Sequence, residues 1–343
     1  MRYRPLGQTG LQISEISIGS WLTYSGGIAT DAARACVKAA FDVGINSFDT
    51  ANVYGFGASE RALGELLAPY RREDYLLATK VCMPASEEPG ERGLSAAQIH
   101  KQVDASLRRL GTDHVDVYYA HRFDPTVPIE ETVEAFREVR AAGKARFIGF
   151  SEWTAEQVEA GIAAGGRDLF AVSTPQYSMI WRAPEAELFA LCAPYGIGHV
   201  VWWPLAQGVL TGKYRPGAAP PADSRAASAS MGNDMHRVMH DGWLEAVERL
   251  RPVAAEAGLD LPTLALAWTL RRPEVASALV GASRPEQVHA NAAAAGVELS
   301  PDVLAAIDAA VGDVAVTTPA LSAFAETGVL WRDGTTTAAA AAG

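Results

Sequence analysis

Four titratable side chains follow consecutive strand-like runs and together could carry acid–base chemistry. Asp49 and Tyr54 follow one short apolar run. Lys80 ends the next run, and His121 follows the one after that. One polar residue beyond a strand is unremarkable, but four of complementary types indicate a reaction centre.

These residue types suit the reduction of a carbonyl group. Tyrosine can donate a proton to a developing alkoxide, although its ordinary pKa of about 10 makes it a weak acid at neutral pH. A lysine ammonium about 4 Å away favours the phenolate by roughly 4 kcal/mol at an effective dielectric of about 20. That is about three pKa units, so we predict that Lys80 brings the pKa of Tyr54 towards 7.

The other two residues would support this acid. An aspartate beside the lysine keeps the ammonium charged and oriented, and a histidine can orient the substrate carbonyl through a hydrogen bond. Hydride must come from an external cofactor, since no side chain supplies one.

Each member of the set also has a structural interpretation. Asp49 could cap a turn, and Tyr54 could be an ordinary loop aromatic. Lys80 could be a solvated lysine, and His121 could be a hydrogen-bonded structural histidine. The combination favours the catalytic interpretation, whereas no single member does.

Eight short apolar or β-branched runs could position these residues as strands buried on both faces. They lie near residues 16–19, 47–49, 75–79, 115–119, 146–149, 170–173, 199–202 and 277–280. Stretches of sequence with helical periodicity separate these predicted strands. Asp31 is predicted to cap a helix that ends at Gly44, and Ser95 is predicted to open one that ends at Gly111. Further helix starts are predicted at Pro128, Thr154 and Pro262.

This alternation fits either a closed barrel or an open doubly wound sheet. A doubly wound nicotinamide enzyme would carry GxGxxG after an early strand. The nearest candidate, at 55–60, has Glu60 in place of the third glycine. In a closed barrel the polar residues after successive strands converge on the C-terminal face. We therefore predict a (β/α)8 barrel, preceded by an N-terminal β-hairpin around 6–11.

Composition excludes several classes of protein. The net charge of −11 over 343 residues argues against binding to nucleic acid or to anionic membranes. No apolar run approaches the roughly 20 residues of a spanning helix, and the N-terminus lacks an apolar leader. The sequence thus predicts a cytoplasmic protein. The three cysteines are widely spaced, so we predict neither a disulfide framework nor a metal centre.

Two regions interrupt the alternation. Residues 213–240 form a Pro/Ala/Ser-rich stretch, and loops of that length are usually functional. Residues 316–343 end in a low-complexity run and are predicted to be a partly disordered tail. The barrel domain is therefore predicted to span 1–315.

Several long motifs resemble those of the aldo-keto reductases. They are FDTANVYGFGASERALGELL at 48–67, LLATKV at 76–81, VDVYYAHRFDPTVPIEETVEAF at 115–136, WWPLAQGVLTGKY at 202–214 and LVGASRPEQVHAN at 279–291. The match covers roughly residues 1–310. It is similar above all to the branch of the potassium-channel β-subunits and the bacterial glyceraldehyde-3-phosphate and methylglyoxal reductases.

The resemblance implies a barrel that binds NADP(H) in an extended pose across its C-terminal face and reduces an aldehyde or ketone. The family's catalytic tetrad falls residue for residue on Asp49, Tyr54, Lys80 and His121. The implied cofactor contacts are Ser20, Trp21, Asp49, Ser151, Glu152, Thr174, Trp202, Trp203, Pro204, Leu205, Ala206, Gly208, Lys213, Arg225, Gly281, Ser283, Gln287 and Asn291. Arg225 and Arg284 could neutralise a 2′-phosphate, which favours NADP over NAD.

The chain departs from the family pattern at several of these positions. Thr174 replaces a glutamine that binds the nicotinamide carboxamide, while Gln176 lies two residues later. Glu152 and Ala290 replace residues that are commonly Asn or Arg and Glu, respectively. Trp203 replaces a small polar residue. We expect its ring to crowd either the strand along which the cofactor pyrophosphate would lie or the entrance to the substrate site.

Two other functions compete with an active reductase. Channel subunits of this branch use cofactor occupancy as a redox signal, but they often carry Asn where His121 stands. A degenerate barrel could bind NADPH without turnover. The intact tetrad favours an enzyme, and the resemblance leaves open whether the protein forms a homo-oligomer.

Overall fold

The computed structural model describes residues 1–88, 90–232 and 235–319. The chain begins with an antiparallel hairpin of β1 (Tyr3–Pro5) and β2 (Gln12–Ser14), as the sequence predicted. Most of the predicted tail, residues 320–343, lies outside the described residues. The domain boundary at 315 stays a prediction. Val316, just beyond it, still contacts the barrel domain, because its carbonyl oxygen accepts a hydrogen bond from Arg182 N at 2.7 Å.

Eight parallel strands close into a barrel, which confirms the predicted (β/α)8 fold. Each lies within one or two residues of its predicted position. They are β3 (Ile16–Gly19), β4 (Ser47–Asp49), β5 (Leu76–Val81), β6 (Val115–Ala120), β7 (Ala145–Phe150), β8 (Phe170–Ser173), β9 (Gly198–Trp202) and β10 (Val275–Val280). Strand β10 pairs with β3 and completes the closure.

Helices surround the barrel. They are α1 (Thr30–Asp42), α2 (Ala58–Leu67), α3 (Ala96–Leu110), α4 (Ile129–Ala141), α5 (Ala155–Gly165), α6 (Leu188–Cys192), α7 (Asp241–Glu256), α8 (Leu261–Leu270), α9 (Pro285–Ala292) and α10 (Pro301–Val311). Ser95 caps α3 as predicted, and Thr154 forms a capping box at the start of α5. The prediction for Asp31 is wrong: Ala29 is the N-cap of α1, and Asp31 lies in the first turn. There its charge still favours the helix N-terminus.

Strand alternation divides the core into two layers. Inward-facing residues, including Val117, Tyr119 and Val172, fill the barrel, and Leu6 and Ile13 of the hairpin region close its lower end. Outward-facing residues pack against the helices in a second, larger cluster. The interior is therefore a packed core rather than a pore, and the carboxyl ends of the strands form its open face.

Buried ion pairs hold the lower rim, where the strands begin. Glu15 is fully buried, and its carboxylate accepts hydrogen bonds from Arg4 Nε at 2.6 Å and Gly296 N at 2.7 Å. Asp116 accepts hydrogen bonds from Arg72 at 2.7 Å and from Arg146 at 2.6 Å. These contacts join parts of the chain that are distant in sequence.

Within the described ranges, no helix is long and apolar enough to cross a membrane. The same residues contain no group of three or more His, Cys, Asp and Glu side chains placed to hold a metal ion. All three cysteines are buried and free.

Candidate active site

The four predicted catalytic residues converge at the open end of the barrel. Lys80 Nζ forms an ion pair with Asp49 and donates hydrogen bonds to Thr50 O at 2.8 Å and to the Tyr54 hydroxyl at 3.2 Å. The rings of Tyr54 and His121 meet edge to face, with centroids 5.8 Å apart. The structure thus brings together the set that the strand ends predicted.

Barrel register explains this convergence. Asp49 is the last residue of β4, and it pairs with Ala78 on β5, two positions before Lys80. Side chains two residues apart on a strand share a face. Lys80 therefore points, like Asp49, into the opening at the carboxyl ends of the strands (the mouth). His121 follows β6 directly, and Tyr54 lies in the turn between β4 and α2.

A buried ion pair that the sequence reasoning missed anchors this turn. Glu60 is fully buried, and it accepts hydrogen bonds from Thr79 Oγ1 and from Arg109 Nε, both at 2.6 Å. The Arg109 side chain fills the space beside Gly57, where an added Cβ would lie 2.6 Å from Arg109 Cδ. The available signal was the position of Glu60 on the apolar face of α2, in line with Leu63 and Leu67.

Burial and mutual attraction determine the charges of Asp49 and Lys80. Burial disfavours the ammonium of Lys80, but the Asp49 carboxylate and the contact with Tyr54 outweigh it, so the pKa of Lys80 is raised. Burial also raises the pKa of Asp49, and Lys80 opposes this increase. Lys80 therefore stays protonated at neutral pH.

The predicted direction for Tyr54 is wrong. Burial raises the pKa of Tyr54 above its ordinary value, and the Lys80 ammonium lowers it by less. The sequence argument considered the lysine charge but could not include desolvation of the phenolate. Tyr54 is consequently a protonated phenol at neutral pH, which is the form that a proton donor needs.

His121 is neutral at neutral pH. Burial first, and then the charges of Arg122 and Lys80, hold the pKa of His121 well below its ordinary value. Its Nδ1 is buried and has no hydrogen-bond partner within the described ranges. A neutral imidazole carries one N–H donor, so it can donate one hydrogen bond to an oxygen placed at the mouth.

Several other polar atoms around the mouth are buried and have no hydrogen-bond partner among the residues that the structure describes. They are Ser20 Oγ, Asn52 Oδ1, Thr174 Oγ1, and both amide atoms of Gln176 and of Gln207. Alternation places Thr174 and Gln176 on the inner side, because Tyr177 packs outside the barrel against Phe189 and Trp268. Unsatisfied buried polar groups are rare in proteins, and a polar ligand that lies across the mouth would supply their partners.

Ser151 and Glu152 continue this inner surface beyond β7. Ser151 Oγ donates a hydrogen bond to Thr174 O at 2.9 Å. Glu152 has a left-handed φ of 55°, and its carboxylate accepts hydrogen bonds from Gln176 N at 2.6 Å and from Trp202 Nε1 at 3.1 Å. Glu152 is therefore part of the wall of the mouth.

Trp203 follows β9 with a left-handed φ of 73°, and its buried indole packs against Trp181 and Trp243 with ring centroids 6.4 and 5.7 Å apart. Because Val200 faces the inner cluster, alternation puts Trp203 on the outer side, where it belongs to the larger cluster. That its ring crowds the cofactor or the substrate stays a prediction. The next residues, Pro204, Leu205, Ala206 and Gly208, form a tight turn with further left-handed conformations at Ala206 and Gly208.

The described residues of the predicted loop, 213–232 and 235–240, contribute contacts at one side of the mouth. The Arg225 guanidinium lies over the Trp21 ring, 5.8 Å from its centroid, and close to Gly281. Lys213 lies against Gly208, where an added Cβ would be 2.8 Å from Lys213 Cε. These contacts bring together predicted cofactor residues from four distant parts of the chain. We call the surface that they form the groove; it comprises Trp21, Gly208, Lys213, Arg225 and Gly281.

The basic residues of this groove influence one another. Burial and then the charge of Arg225 lower the pKa of Lys213, and Arg284 adds a smaller effect in the same direction. The guanidinium of Arg284 also lies 3.6 Å from the carboxylate of Asp223. Such an accumulation of positive charge favours an anionic ligand.

At the end of the groove, α9 carries the remaining predicted contacts. Gln287 Oε1 accepts hydrogen bonds from Ser283 N at 2.8 Å and from Ser283 Oγ at 3.2 Å. Asn291 is buried one turn further along the helix. The backbone N–H of Ser283 is thus already satisfied by Gln287.

Comparison with known proteins agrees with this architecture. The model of the aldo/keto reductase family matches residues 15–311. A probable voltage-gated potassium channel subunit beta from Oryza sativa subsp. japonica is 40% identical over 319 residues, which cover 91% of this chain and 97% of that protein. Its counterpart from Arabidopsis thaliana is 40% identical over 316 residues, 90% of this chain and 96% of that protein.

A third relative, a putative voltage-gated potassium channel subunit beta from Schizosaccharomyces pombe, is 39% identical over 316 residues. These cover 89% of this chain and 92% of that protein. Family match, barrel and relatives agree along nearly the whole chain. The chain therefore belongs to the aldo/keto reductase family.

Proposed function

We propose that this protein reduces aldehydes or ketones to alcohols with NADPH, and that Tyr54 is the proton donor. The observation that carries the proposal is the contact of Tyr54 with Lys80, which is paired with Asp49, beside His121. The raised pKa of Tyr54 and the lowered pKa of His121 favour a protonated phenol and an uncharged imidazole, which suit proton donation and orientation of the carbonyl.

The residues divide the work in a simple way. The His121 N–H donates a hydrogen bond to the carbonyl oxygen and orients it. The Tyr54 hydroxyl delivers its proton to that oxygen as negative charge develops there. The Lys80 ammonium stabilises the phenolate left on Tyr54, and Asp49 holds Lys80 in position. NADPH, when bound, supplies the hydride.

The mouth and the groove fit such a cofactor. Ser20, Thr174 and Gln176 offer buried polar atoms without partners where an amide-bearing ring would lie. Arg225 and Lys213 gather positive charge further along the groove, where an additional phosphate would be stabilised. This charge is our reason for preferring NADPH to NADH.

A second function is suggested by the relatives, which are named as potassium channel β-subunits. In that case the protein would bind the cofactor and turn it over slowly or not at all. The intact Asp49–Lys80–Tyr54 contact favours the enzyme, because cofactor binding alone does not need a proton donor held by a lysine.

Consumption of NADPH with a panel of small aldehydes and ketones separates the two functions. We expect turnover above the background of a Lys80→Met variant, which loses the charge that stabilises the Tyr54 phenolate. NADPH should bind both proteins, as followed by fluorescence titration. Binding without turnover on any carbonyl would reject the reductase and favour the regulatory protein.

A further inference from the structure

A guanidinium that has no role in the proposed proton transfer lies beside the tetrad. Arg122 Nη1 donates hydrogen bonds to His121 O at 2.6 Å and to Ser151 Oγ at 3.3 Å. In the part of the chain that the structure describes, Arg122 Nε is buried without a hydrogen-bond partner, and Arg122 forms no ion pair with a carboxylate.

The carboxylates near Arg122 are engaged by other groups. Asp49 is paired with Lys80, and the buried Glu152 accepts hydrogen bonds from Gln176 N and Trp202 Nε1. Asp124 accepts hydrogen bonds from Leu94 N and from Thr126. The Arg122 charge reaches the tetrad, since it is the largest cause after burial of the lowered pKa of His121.

Stability does not account for this arrangement. A partly buried guanidinium loses hydration, and without a carboxylate partner it gains little in return. Elsewhere in the protein the partly buried arginines Arg4, Arg72 and Arg109 are each paired with a buried carboxylate. The difference indicates that the partner of Arg122 is a ligand.

We propose that Arg122 binds a carboxylate carried by the carbonyl substrate. This inference rests on the proposed reductase function and specifies its substrate class: aldehydes and ketones that bear a carboxylate. The Arg122 guanidinium, which has no ion-pair partner among the described residues, balances the charge of a monoanion, whereas a phosphate dianion would keep one negative charge without a counterion. The planar fork of arginine suits the two oxygens of a carboxylate.

A matched substrate pair tests the proposal. Carboxybenzaldehyde and its methyl ester differ in one charge and are otherwise similar. We expect wild-type kcat/KM to be about tenfold or more higher for the acid, as for one charge-assisted hydrogen bond. Arg122→Gln should remove this preference, so that kcat/KM becomes similar for the acid and the ester, and Arg122→Lys should restore part of it.

Two controls separate a local effect of Arg122 on the substrate from a change in overall charge or in cofactor binding. Arg108→Gln, on the exposed side of α3, removes one positive charge far from the mouth and should leave the preference intact. NADPH titration should give the same dissociation constant for wild type and Arg122→Gln. If Arg122→Gln bound NADPH more weakly than wild type, Arg122 would be assigned to a cofactor phosphate and the proposal would be overturned.

The remaining outcomes separate this inference from the proposed function. Equal kcat/KM for acid and ester in wild type would overturn the carboxylate site and leave the reductase standing. If neither compound were reduced, the proposed reductase function would be rejected. Calorimetric titration with benzoate would then test the carboxylate site independently of turnover. Binding that disappears in Arg122→Gln supports the site, and unchanged binding or no binding overturns it.

Discussion

The two ends of the barrel are built on opposite principles. At the lower end the hairpin closes the interior, and the buried carboxylates Glu15 and Asp116 are paired with arginines. At the upper end, where the strands finish, polar atoms of residues such as Ser20 and Thr174 are buried and have no partner in the described part of the chain.

Backbone conformation shows the same contrast. All seven non-glycine residues with positive φ in the described ranges lie beyond the C-terminal ends of strands, on the upper side. They are Leu22, Phe56, Cys82, Glu152, Trp203, Ala206 and Gln207. Such conformations are unfavourable for L-residues and persist where function selects them. The lower end stabilises the fold, and the upper end carries unfavourable free energy that a ligand can recover.

The largest expected effect comes from the upper end, in Tyr54→Phe. Loss of the proton donor should reduce kcat at least about a hundredfold, while the free energy of unfolding and NADPH binding stay close to wild type. Steady-state assays with thermal denaturation and cofactor titration check these quantities. Turnover near wild type would show that another group is the acid.

The reverse pattern is expected at the lower end, in Glu15→Ala. Removal of the carboxylate leaves Arg4 and Gly296 N without their buried partner, so we expect a loss of about 3 kcal/mol or more in unfolding free energy. Activity per folded molecule should not change. The matched control is Glu134→Ala, an exposed carboxylate paired with Arg137, which should cost less than about 1 kcal/mol.

If Glu15→Ala reduced kcat without a loss of stability, the division between the two ends would be wrong. Chemical denaturation together with an assay on the surviving folded fraction distinguishes the two results.

A smaller and more selective effect is expected for Arg225→Ala, at the edge of the upper face. NADPH should be weakened about tenfold more than NADH, because only NADPH carries the additional phosphate. Loss of the contact with Trp21 should affect both cofactors equally. Arg215→Ala, in the same segment, is the control, and equal weakening of the two cofactors in fluorescence titrations would refute the assignment of Arg225 to the 2′-phosphate.

The fold could be predicted well because its signals are local. Short apolar runs predicted all eight strands. Ser95 and Thr154 predicted the starts of two helices, because their side chains cap helix N-termini. The tetrad could also be predicted, because the rule that strand ends meet at one face needs only the order of the elements.

What failed depended on surroundings that one stretch of sequence does not contain. Burial is the largest cause of the raised pKa of Tyr54, and it depends on how the whole chain packs. The pairs Glu15–Arg4 and Glu60–Arg109 join separate elements, and neither partner predicts the other.

The seam between β3 and β10 has a consequence for how the protein is made. The hydroxyls of Ser17 and Ser277 meet across this seam at 2.6 Å, although 260 positions separate them. The edges of β3 and β9 therefore stay open on the ribosome until residues 275–280 have emerged. Closure is a late step with a large loss of chain entropy, and the nascent chain must keep two exposed strand edges from pairing with other molecules until then.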